Sequence, residues 1–362
     1  ISRLKIDALY CPYQDKKVSM QLYNNLSAQE QAELIDQAGI KRLTLSFYKY
    51  HNLSNPETLR NHLYTHWKAL QVLGRIFVAS EGINAQLSVP APQFHSFKQI
   101  LDEIPFLKGI RLNIAVEQYD KSFLKLKIKL RSKILADGLD DQTFDPTDVG
   151  THLKAEAFNQ IIADPDTILV DMRNHYETEI GHFENALTPD VDTFRDSLKM
   201  IEKDIESYKN DKNIVMYCTG GIRCEKASAY FKHKGFKKLF QLEGGIIEYA
   251  RQVKTLNLEN KFKGKNFVFD QRMAERISED IISFCHQCGD PSDTHVNCAN
   301  EACHLLFIQC SNCRKAMDQC CTNACKEINT KPLKEQKELR RGNKIKSKIF
   351  RKGRSKEQIQ GT

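Results

Sequence analysis

Residues 213–225 have the sequence NIVMY-CTGGIRCE, and they decide how the middle of this chain folds. The first five, Asn213–Tyr217, are mostly apolar and predict a short buried strand. Cys224–Lys234 predicts a helix, and Gly235 is a normal helix stop. The loop between strand and helix, Cys218–Arg223, therefore lies at the carboxyl end of a strand, where open α/β sheets bind their ligands.

Cys218 is the candidate nucleophile of this loop, and Arg223 and Cys224 are its candidate catalytic neighbours. Gly220 and Gly221 allow backbone N–H groups to turn inward and form an anion-binding nest. The N-terminus of the next helix adds partial positive charge, and Arg223 adds a full charge. All of these favour the thiolate, so we expect an activated cysteine rather than a structural one.

Cys224 leaves two interpretations open. A second thiol close to Cys218 can resolve a persulfide or a sulfenic acid by forming a disulfide. The alternative is a small buried residue on the first turn of the helix. The two remaining loop residues, Thr219 and Ile222, are predicted to shape the same active-site loop.

Strand and helix patterns alternate on both sides of the loop. Helices are predicted at Leu153–Ile162 and Phe194–Tyr208, strands at Thr167–Asp171 and Lys238–Leu242, and a last helix after Gly244-Gly245. Such alternation implies a mainly parallel sheet, so we predict an α/β domain over residues 145–255. Residues 136–150 are rich in Asp, Gly and Thr and predict a linker in front of it.

Residues 42–135 predict a separate α+β domain that follows an N-terminal extension, residues 1–41. Asn55 caps a helix whose first residue is Pro56, and Pro92 starts a second helix. The order of elements is βαββαβ, which is the ferredoxin-like arrangement. The four predicted strands are Leu43–Tyr50, Arg75–Ser80, Ile83–Val89 and Arg111–Val116.

Basic residues concentrate in two places. Along Phe123–Arg131 every second residue is basic: Lys125, Lys127, Lys129 and Arg131. This pattern predicts either an edge strand protected by lysines or a strip that binds RNA phosphates. Residues 331–362 carry 12 of the 54 Lys and Arg, Arg340 and Arg341 among them, but only 3 of the 46 Asp and Glu. This basic tail predicts either a flexible solvated terminus or a segment that attracts RNA.

Nine of the 12 cysteines lie between Cys285 and Cys325. Cys-x2-Cys pairs present both sulfurs to one tetrahedral ion, so residues 280–327 predict a small module with two structural zinc ions. We expect Cys285 and Cys288 to join Cys310 and Cys313, and Cys298 and Cys303 to join Cys325 and either Cys320 or Cys321. His286, His295 and His304 are possible substitutes, and disulfides or an iron–sulfur cluster are the alternatives.

Residues 145–253 resemble the rhodanese family. The marks are a strand that ends in Asp171-Met172-Arg173, the Glu177 to His182 segment, and the six-residue loop Cys218–Arg223. The resemblance implies a persulfide-carrying Cys218, with Asp171 and Arg173 as supporting residues. Related phosphatases have a loop one residue longer, so sulfur or a nucleobase is favoured over phosphate as the ligand.

Most of the chain also resembles a bacterial family of rhodanese-domain proteins, the tRNA uridine hydroxylases. Its marks are Ser80–Asn84 (SEGIN), the two-cysteine loop Cys218–Glu225, Leu242–Ile246 (LEGGI) and the Cys-rich module. The resemblance implies a cytoplasmic enzyme that converts the wobble uridine in a tRNA anticodon loop to 5-hydroxyuridine. Molecular oxygen is then the co-substrate, and Cys218 the catalytic cysteine.

Three functions follow from these features. The first is hydroxylation, in which the Cys218 thiolate adds to C6 of the pyrimidine and oxygen reacts at C5. The second is a sulfurtransferase that uses the same cysteine for tRNA thiolation, and the third is an RNA-binding module with an inactive loop.

We expect no flavin or nicotinamide, because no dinucleotide-binding motif occurs. His-x-Glu pairs at His175 and His182 suggest iron only weakly. No membrane-spanning stretch or signal peptide is predicted, and no pattern indicates an oligomeric state.

Overall fold

The structure is a computed structural model that describes residues 26–140 and 143–341, with only the backbone at Arg341. Cys11 and the basic tail beyond Arg341 lie outside the described residues. Within the described ranges, no helix has the length and apolar character needed to cross a bilayer.

The first domain is a five-stranded sheet in the order β4-β1-β3-β2-β5. Its first four strands are antiparallel neighbours, which confirms the ferredoxin-like arrangement, and β5 adds a fifth strand parallel to β2. The fourth strand is shorter than expected and pairs over only two residues. The elements are α1 (Ala28–Ala38), β1 (Arg42–Tyr50), α2 (Pro56–Ala69), β2 (Leu73–Ala79), β3 (Gly82–Pro90), α3 (Phe94–Glu103), β4 (Asn113–Ile114) and β5 (Leu126–Leu130).

Local sequence explains how this domain is built. The Asn55 side chain accepts a hydrogen bond from the Thr58 N–H at 3.0 Å, so α2 begins at its expected cap. Trp67 on α2 is completely buried and packs edge-on against Phe47 of β1. Because alternate strand residues point to opposite faces, β1 and β3 turn Phe47, Ala85 and their apolar neighbours into this core and leave polar side chains on the other face.

The second domain has a fully parallel four-stranded sheet in the order β6-β10-β9-β7, as the alternating pattern predicted. We expected a helix from Leu153, but Leu153 ends the edge strand β6; this strand is three residues long and exposed, so no apolar run marks it. The elements are β6 (Thr151–Leu153), α4 (Ala155–Ile161), β7 (Thr167–Asp171), α5 (His175–Thr178), β8 (Gly181–Phe183), α6 (Phe194–Ile205), β9 (Asn213–Tyr217), α7 (Ile222–His233), β10 (Leu239–Leu242) and α8 (Gly245–Leu256).

The remaining described residues form the Cys-rich part of the molecule. Strand β11 pairs antiparallel with β8 of the second domain and with β12, which ties this part to the parallel sheet. The basic tail begins as a helix, α11. The elements are β11 (Phe262–Phe267), β12 (Ala274–Arg276), β13 (His295–Asn297), β14 (Leu306–Ile308), α9 (Ser311–Ala316), α10 (Asn323–Asn329) and α11 (Leu333–Arg341).

The predicted linker, residues 136–150, packs against both larger domains. Its described part contains no helix or strand, but Asp137 and Phe144 are buried. The ammonium group of Lys226, on α7, is also buried, and it lies 2.9 Å from Glu81 and 3.6 Å from Asp137. Because a buried charge needs partners, this ion cluster holds the first domain, the linker and the second domain in one arrangement.

Candidate active site and metal centres

Cys218 lies at the point where β9 ends, on the wall of a cavity of about 360 Å³. The other walls are formed by β1 and β3 of the first domain and by the residues that follow β11. This volume is at the lower end of the range for small-molecule sites, roughly 300–1,000 Å³. Cys218 itself has no exposed surface, although an activated cysteine is expected to be partly exposed. A substrate group therefore has to enter the cavity to reach the sulfur.

The surroundings of Cys218 favour its thiolate form. The Gly221 N–H donates to Sγ at 3.1 Å, so the loop turns an amide inward as the two glycines predicted. Burial by itself raises the pKa of Cys218. The Cys224 thiol and N–H, the charge of Arg223 and the Gly221 N–H oppose this effect and lower the pKa to about 6. The sulfur is therefore mostly ionised at neutral pH.

Cys224 is the protonated member of the cysteine pair. Burial and its hydrogen bond to the neighbouring sulfur raise the pKa of Cys224 well above the ordinary value for a thiol. Both cysteines are reduced in this structure. The thiol of Cys224 thus serves as a hydrogen-bond donor to the Cys218 thiolate.

Arg223 adds the charge that the sequence predicted, and this charge is paired with a carboxylate. Its two terminal nitrogens donate to the two carboxylate oxygens of Glu177 at 2.7 and 2.8 Å, and both side chains are buried. Burial opposes ionisation of Glu177, but Arg223 lowers its pKa, so this carboxylate stays charged. Sequence reasoning placed Glu177 only in the rhodanese-like segment and missed its role as the partner that orients Arg223.

Asp171 and Arg173 form a second buried ion pair, 2.7 Å between Oδ2 and Nη2. Arg173 also donates to the Gly181 carbonyl oxygen at 2.6 Å. The pair therefore fixes the end of β7 to the start of β8. Neither residue lines the cavity, so the structure places them behind the site rather than in it.

The N-terminus of α8 forms hydrogen bonds to the backbone of the Cys218–Arg223 loop. The N–H groups of Ile246 and Ile247 donate to the carbonyl oxygens of Cys218 and Thr219 at 3.0 and 3.3 Å. Gly245 has φ +66°, and an added Cβ there would lie 2.5 Å from the Cys218 carbonyl oxygen. The LEGGI segment thus brings α8 close enough to hold the loop backbone in place.

Polar residues of the first domain form the wall opposite Cys218. They are Ser46 and Tyr48 on β1, Asn84 and Gln86 on β3, and Asn113 on β4. The Asn113 amide donates to the Gly220 carbonyl oxygen at 3.1 Å, so this domain contacts the loop directly. Sequence reasoning did not identify these residues. The sequence did contain a signal for those on β1 and β3. They alternate with the buried apolar residues of the same strands, so they lie together on the opposite face of the sheet.

The basic residues predicted to contact RNA occupy different environments. Strand β5 is an edge strand, so Lys127 and Lys129 are exposed, and the Arg131 guanidinium lies over the Phe77 ring at 5.7 Å. Lys125 is half-buried. Arg340, on α11, forms an ion pair with Glu301. The Arg341 side chain and the rest of the tail lie outside the described residues.

The cysteines of the C-terminal part gather into two groups of four. One contains Cys285, Cys288, Cys310 and Cys313, and the other contains Cys298, Cys303, Cys321 and Cys325; within each group all sulfurs lie within 4.8 Å of one another. Of the two adjacent cysteines, Cys321 joins a group, while the Cys320 thiol donates to the Asp318 carbonyl oxygen at 3.6 Å. None of His286, His295 and His304 belongs to either group.

Sulfur separations in these groups fit a tetrahedral ion. The Cys288–Cys310 and Cys303–Cys321 pairs are 3.6 Å apart, and the Cys321–Cys325 pair is 3.7 Å apart. Four thiolates at about 2.3 Å from a zinc ion are separated by about 3.8 Å, and a disulfide requires about 2.0 Å. The residues present are therefore compatible with two zinc sites of four cysteines each.

The four-cysteine group of Cys285 is also linked to the candidate active site. His286 lies between Cys285 and Cys288, and its Nε2 is 2.7 Å from the Glu179 carboxylate. Glu179 directly follows α5, the helix that carries Glu177. One short helix thus connects the Cys-rich module with the partner of Arg223.

Three family models match successive parts of the chain. They are a UPF0176 acylphosphatase like domain at residues 42–134, a rhodanese-like domain at residues 154–252 and a rhodanase C-terminal segment at residues 263–326. Among solved structures, a rhodanese-like domain from Anabaena sp. is 18% identical, with a TM-score of 0.26, and the match covers 31% of this chain and 78% of that one. A score this low carries no weight for function.

Curated relatives match almost the whole chain. A protein of Pectobacterium carotovorum subsp. carotovorum named tRNA uridine(34) hydroxylase is 53% identical, over 92% of this chain and 94% of the relative. A protein of the same name from Yersinia enterocolitica is also 53% identical, over 92% and 95% of the two chains. With this identity over nearly the full length, the chain belongs to the family of the tRNA uridine(34) hydroxylases.

Proposed function

We propose that this chain hydroxylates uridine 34 of tRNA at C5 and that Cys218 is its nucleophile. The observation that carries the proposal is the position of Cys218: it lies on the wall of a cavity of about 360 Å³, where the Cys224 hydrogen bonds, the Arg223 charge and the Gly221 N–H lower its pKa to about 6. A reactive thiolate is suited to attack on a pyrimidine ring, whose C6 is electrophilic.

The proposed reaction begins when the Cys218 thiolate forms a bond to C6 of the uracil. This addition moves an electron pair toward O4 and makes C5 an enolate carbon, which then attacks molecular oxygen. One oxygen atom stays on C5 as the hydroxyl group, and the other leaves as water, for which an external reductant supplies two electrons with two protons. Loss of the C5 proton and breakage of the C6–S bond restore the ring and the thiolate.

Each loop residue has a defined part in this proposal. Arg223, held by Glu177, keeps positive charge near the sulfur, and together with the amides of Thr219 to Ile222 it stabilises the negative charge that develops on O4. Cys224 donates its thiol hydrogen to the Cys218 thiolate. Asp171 and Arg173 support the strand ends behind the loop.

The substrate is proposed to present its uridine from the anticodon loop. A base in a loop leaves its stack at lower cost than a paired base, and Cys218, which has no exposed surface, can be reached only by a base that is extruded into the cavity. Lys125 to Arg131 on the exposed edge and the basic tail supply positive charge for the phosphates. The two four-cysteine groups are proposed to hold structural zinc, and a tRNA substrate places the enzyme in the cytoplasm.

The test is nucleoside analysis after the purified chain reacts with unmodified tRNA and a two-electron reductant under isotope-labelled dioxygen. The proposal predicts 5-hydroxyuridine that carries the label at position 34. A sulfurtransferase would yield thiouridine, whose nominal mass equals that of unlabelled hydroxyuridine but which takes up no oxygen label. Formation of thiouridine, or of hydroxyuridine without label, would overturn the proposal.

A further inference from the structure

A second cavity, of about 480 Å³, lies beside the active-site cavity. The two share four wall residues, Phe123 and the segment Val268–Asp270. The remaining walls come from the sheet edge formed by β2 and β5 and from the Cys-rich module, with Asn297 and His304. We call this second cavity the edge groove. It lies at the outer edge of the first domain, and the shared residues make it the neighbour of the cavity that holds Cys218.

Three cations line the edge groove: Arg75, Lys125 and Lys127. Arg75 on β2 lies directly opposite Lys127 on β5 in the strand register. Like charges opposite each other across two strands are unfavourable unless something neutralises them. Burial lowers the pKa of Lys127, and the neighbouring Lys129, Lys125 and Arg75 lower it further, as expected for crowded cations.

The protein supplies little negative charge to this cluster. Across residues 26–140 and 143–341, neither Arg75 nor Lys125 nor Lys127 forms an ion pair within 4.0 Å. Asp270 is the one acidic residue in the groove wall, and Arg272 already binds its carboxylate at 2.5 Å. The groove is therefore a concave surface with an excess of positive charge, which Asp270 and the electrostatic interaction of Glu30 with Lys125 offset only in part, and such a surface suits an anion.

We infer that the edge groove is a subsite for a phosphodiester group of a nucleotide next to the target uridine. This inference rests on the proposed function, because an RNA strand whose base enters the active-site cavity has to continue along one of its openings. Successive phosphates follow a strand at nucleotide spacing, and a cationic groove that tracks the backbone is the usual way to hold it. Arg75, which the sequence pattern did not mark, becomes part of the RNA-binding surface.

The edge groove also divides the basic strip of β5. Lys125 and Lys127 line it, whereas Lys129 and Arg131 do not, and Arg131 is engaged with Phe77. We therefore expect the first pair to contact a phosphate and the second pair to contribute only general attraction. The two kinds of contribution differ in size and in salt dependence.

The experiment measures the affinity of a labelled anticodon stem-loop RNA for the full chain, together with KM and kcat for tRNA hydroxylation. The variants are Arg75→Glu and Lys127→Glu, with Lys98→Glu as the control; Lys98 is an exposed lysine on α3 of the same domain. We expect each groove variant to weaken binding and raise KM by about tenfold or more, with kcat within about twofold and a salt slope smaller by about 1. The control is expected to change both by less than about twofold.

A second arm identifies the phosphate. RNA with one neutral methylphosphonate linkage next to the uridine should bind the wild-type chain about as weakly as normal RNA binds Lys127→Gln. Combining the neutral linkage with Lys127→Gln should then cost little more, because both changes remove the same contact. Lys129→Glu is expected to have a smaller effect than Lys127→Glu.

The inference is overturned if Arg75→Glu and Lys127→Glu bind RNA like the Lys98→Glu control, or if no single neutral linkage weakens binding. Neither result affects the proposed hydroxylation, which the wild-type chain shows or fails to show independently. Conversely, if the wild-type chain forms no hydroxyuridine, the RNA affinities still test the groove.

Discussion

Cys218 and Cys224 are six residues apart and both buried, yet the structure gives them opposite protonation states. The reason is that the stabilising N–H groups face only one of the two sulfurs. The Gly221 and Cys224 N–H groups donate to Cys218, and the Arg223 charge also lowers its pKa. Cys224 faces a neighbouring negative sulfur, which raises its own pKa. One thiol of the pair thus has a lowered pKa and the other a raised pKa, which favours a hydrogen bond from the Cys224 thiol to the Cys218 thiolate.

A first prediction concerns this hydrogen bond. The rate of Cys218 alkylation by iodoacetamide should rise with pH and reach half its maximum near pH 6, because only the thiolate reacts. Cys224→Ala removes the donor and should move this midpoint upward. Cys224→Ser keeps a hydroxyl donor and should leave it near the wild-type value. Equal midpoints for Ala and Ser would show that the thiol hydrogen bond has no effect.

The Arg223–Glu177 pair leads to a second prediction. Glu177→Gln leaves a buried guanidinium without its counter-charge, so it should lower the free energy of unfolding by about 3–5 kcal/mol. Glu57→Gln removes an exposed carboxylate from its pair with the half-buried Arg60 and should cost less than about 1 kcal/mol. Denaturant unfolding measures both. A similar small loss in the two variants would contradict the role assigned to Glu177.

Prediction from sequence at this scale succeeded for residues that lie together in one loop. The order of Cys218, the two glycines and Arg223 indicated the inward amide without further information. The pairing of Arg223 with Glu177 spans 46 residues, and nothing in the local pattern of either residue specifies the other. The same limit applied to the choice between Cys320 and Cys321, which depends on the direction of each side chain.

Helix α8 supports the Cys218–Arg223 loop through its backbone rather than through a side chain. Its first N–H groups hold the carbonyl oxygens of the loop, and Gly245 permits the close approach. The loop thus contacts two helix N-termini: α7 follows it in the sequence, and α8 packs against it in space. The N–H groups of α7 and its preceding residue act on the sulfur, whereas those of α8 bind the carbonyl oxygens of the loop.

A third prediction tests this support. Gly245→Ala places a methyl group 2.5 Å from the Cys218 carbonyl oxygen at a residue with φ +66°. The loop has to shift, so the variant should lose both stability and the rapid alkylation of Cys218. Gly39→Ala is the matched control, because its φ is +59° and no atom lies within 4 Å of the added Cβ. That control should cost about 1 kcal/mol and leave alkylation unchanged. An unchanged rate in Gly245→Ala would contradict the support by α8.

Long periodic elements were predictable at this scale, and short ones were not. Clear apolar periodicity occurs in the nine-residue strand β1 and in the helices α2 and α6, so the sequence predicted where these elements lie. The strands β6, β8 and β12 are each three residues long and are held by pairing with distant partners. Three residues contain too little pattern to distinguish a strand from a loop.

The three parts of the molecule meet at the active site. The first domain forms one wall of the Cys218 cavity, the second supplies the loop, and the segment after β11 completes it. The contact between His286 and Glu179 adds a link from the Cys-rich module to α5. The domain types were predictable because each has its own pattern. Their arrangement was not, because it depends on single buried contacts such as Lys226 with Glu81.

A fourth prediction concerns metal content. The purified chain should bind two zinc ions, and Cys321→Ser should lose one, because Cys321 is a member of the second four-cysteine group. Cys320→Ser changes the adjacent cysteine, which belongs to neither group, and should retain both ions. Elemental analysis of the three proteins decides the matter. Loss of an ion in Cys320→Ser with retention in Cys321→Ser would reverse the assignment.

The central claim is tested most directly by single-turnover hydroxylation of tRNA with wild-type chain, Cys218→Ala and Cys224→Ser, read out as 5-hydroxyuridine at the target position. The account predicts no product with Cys218→Ala and nearly normal product with Cys224→Ser, although both variants fold and bind tRNA. Full conversion by Cys218→Ala would contradict it, because the oxygen chemistry would then proceed without the thiolate.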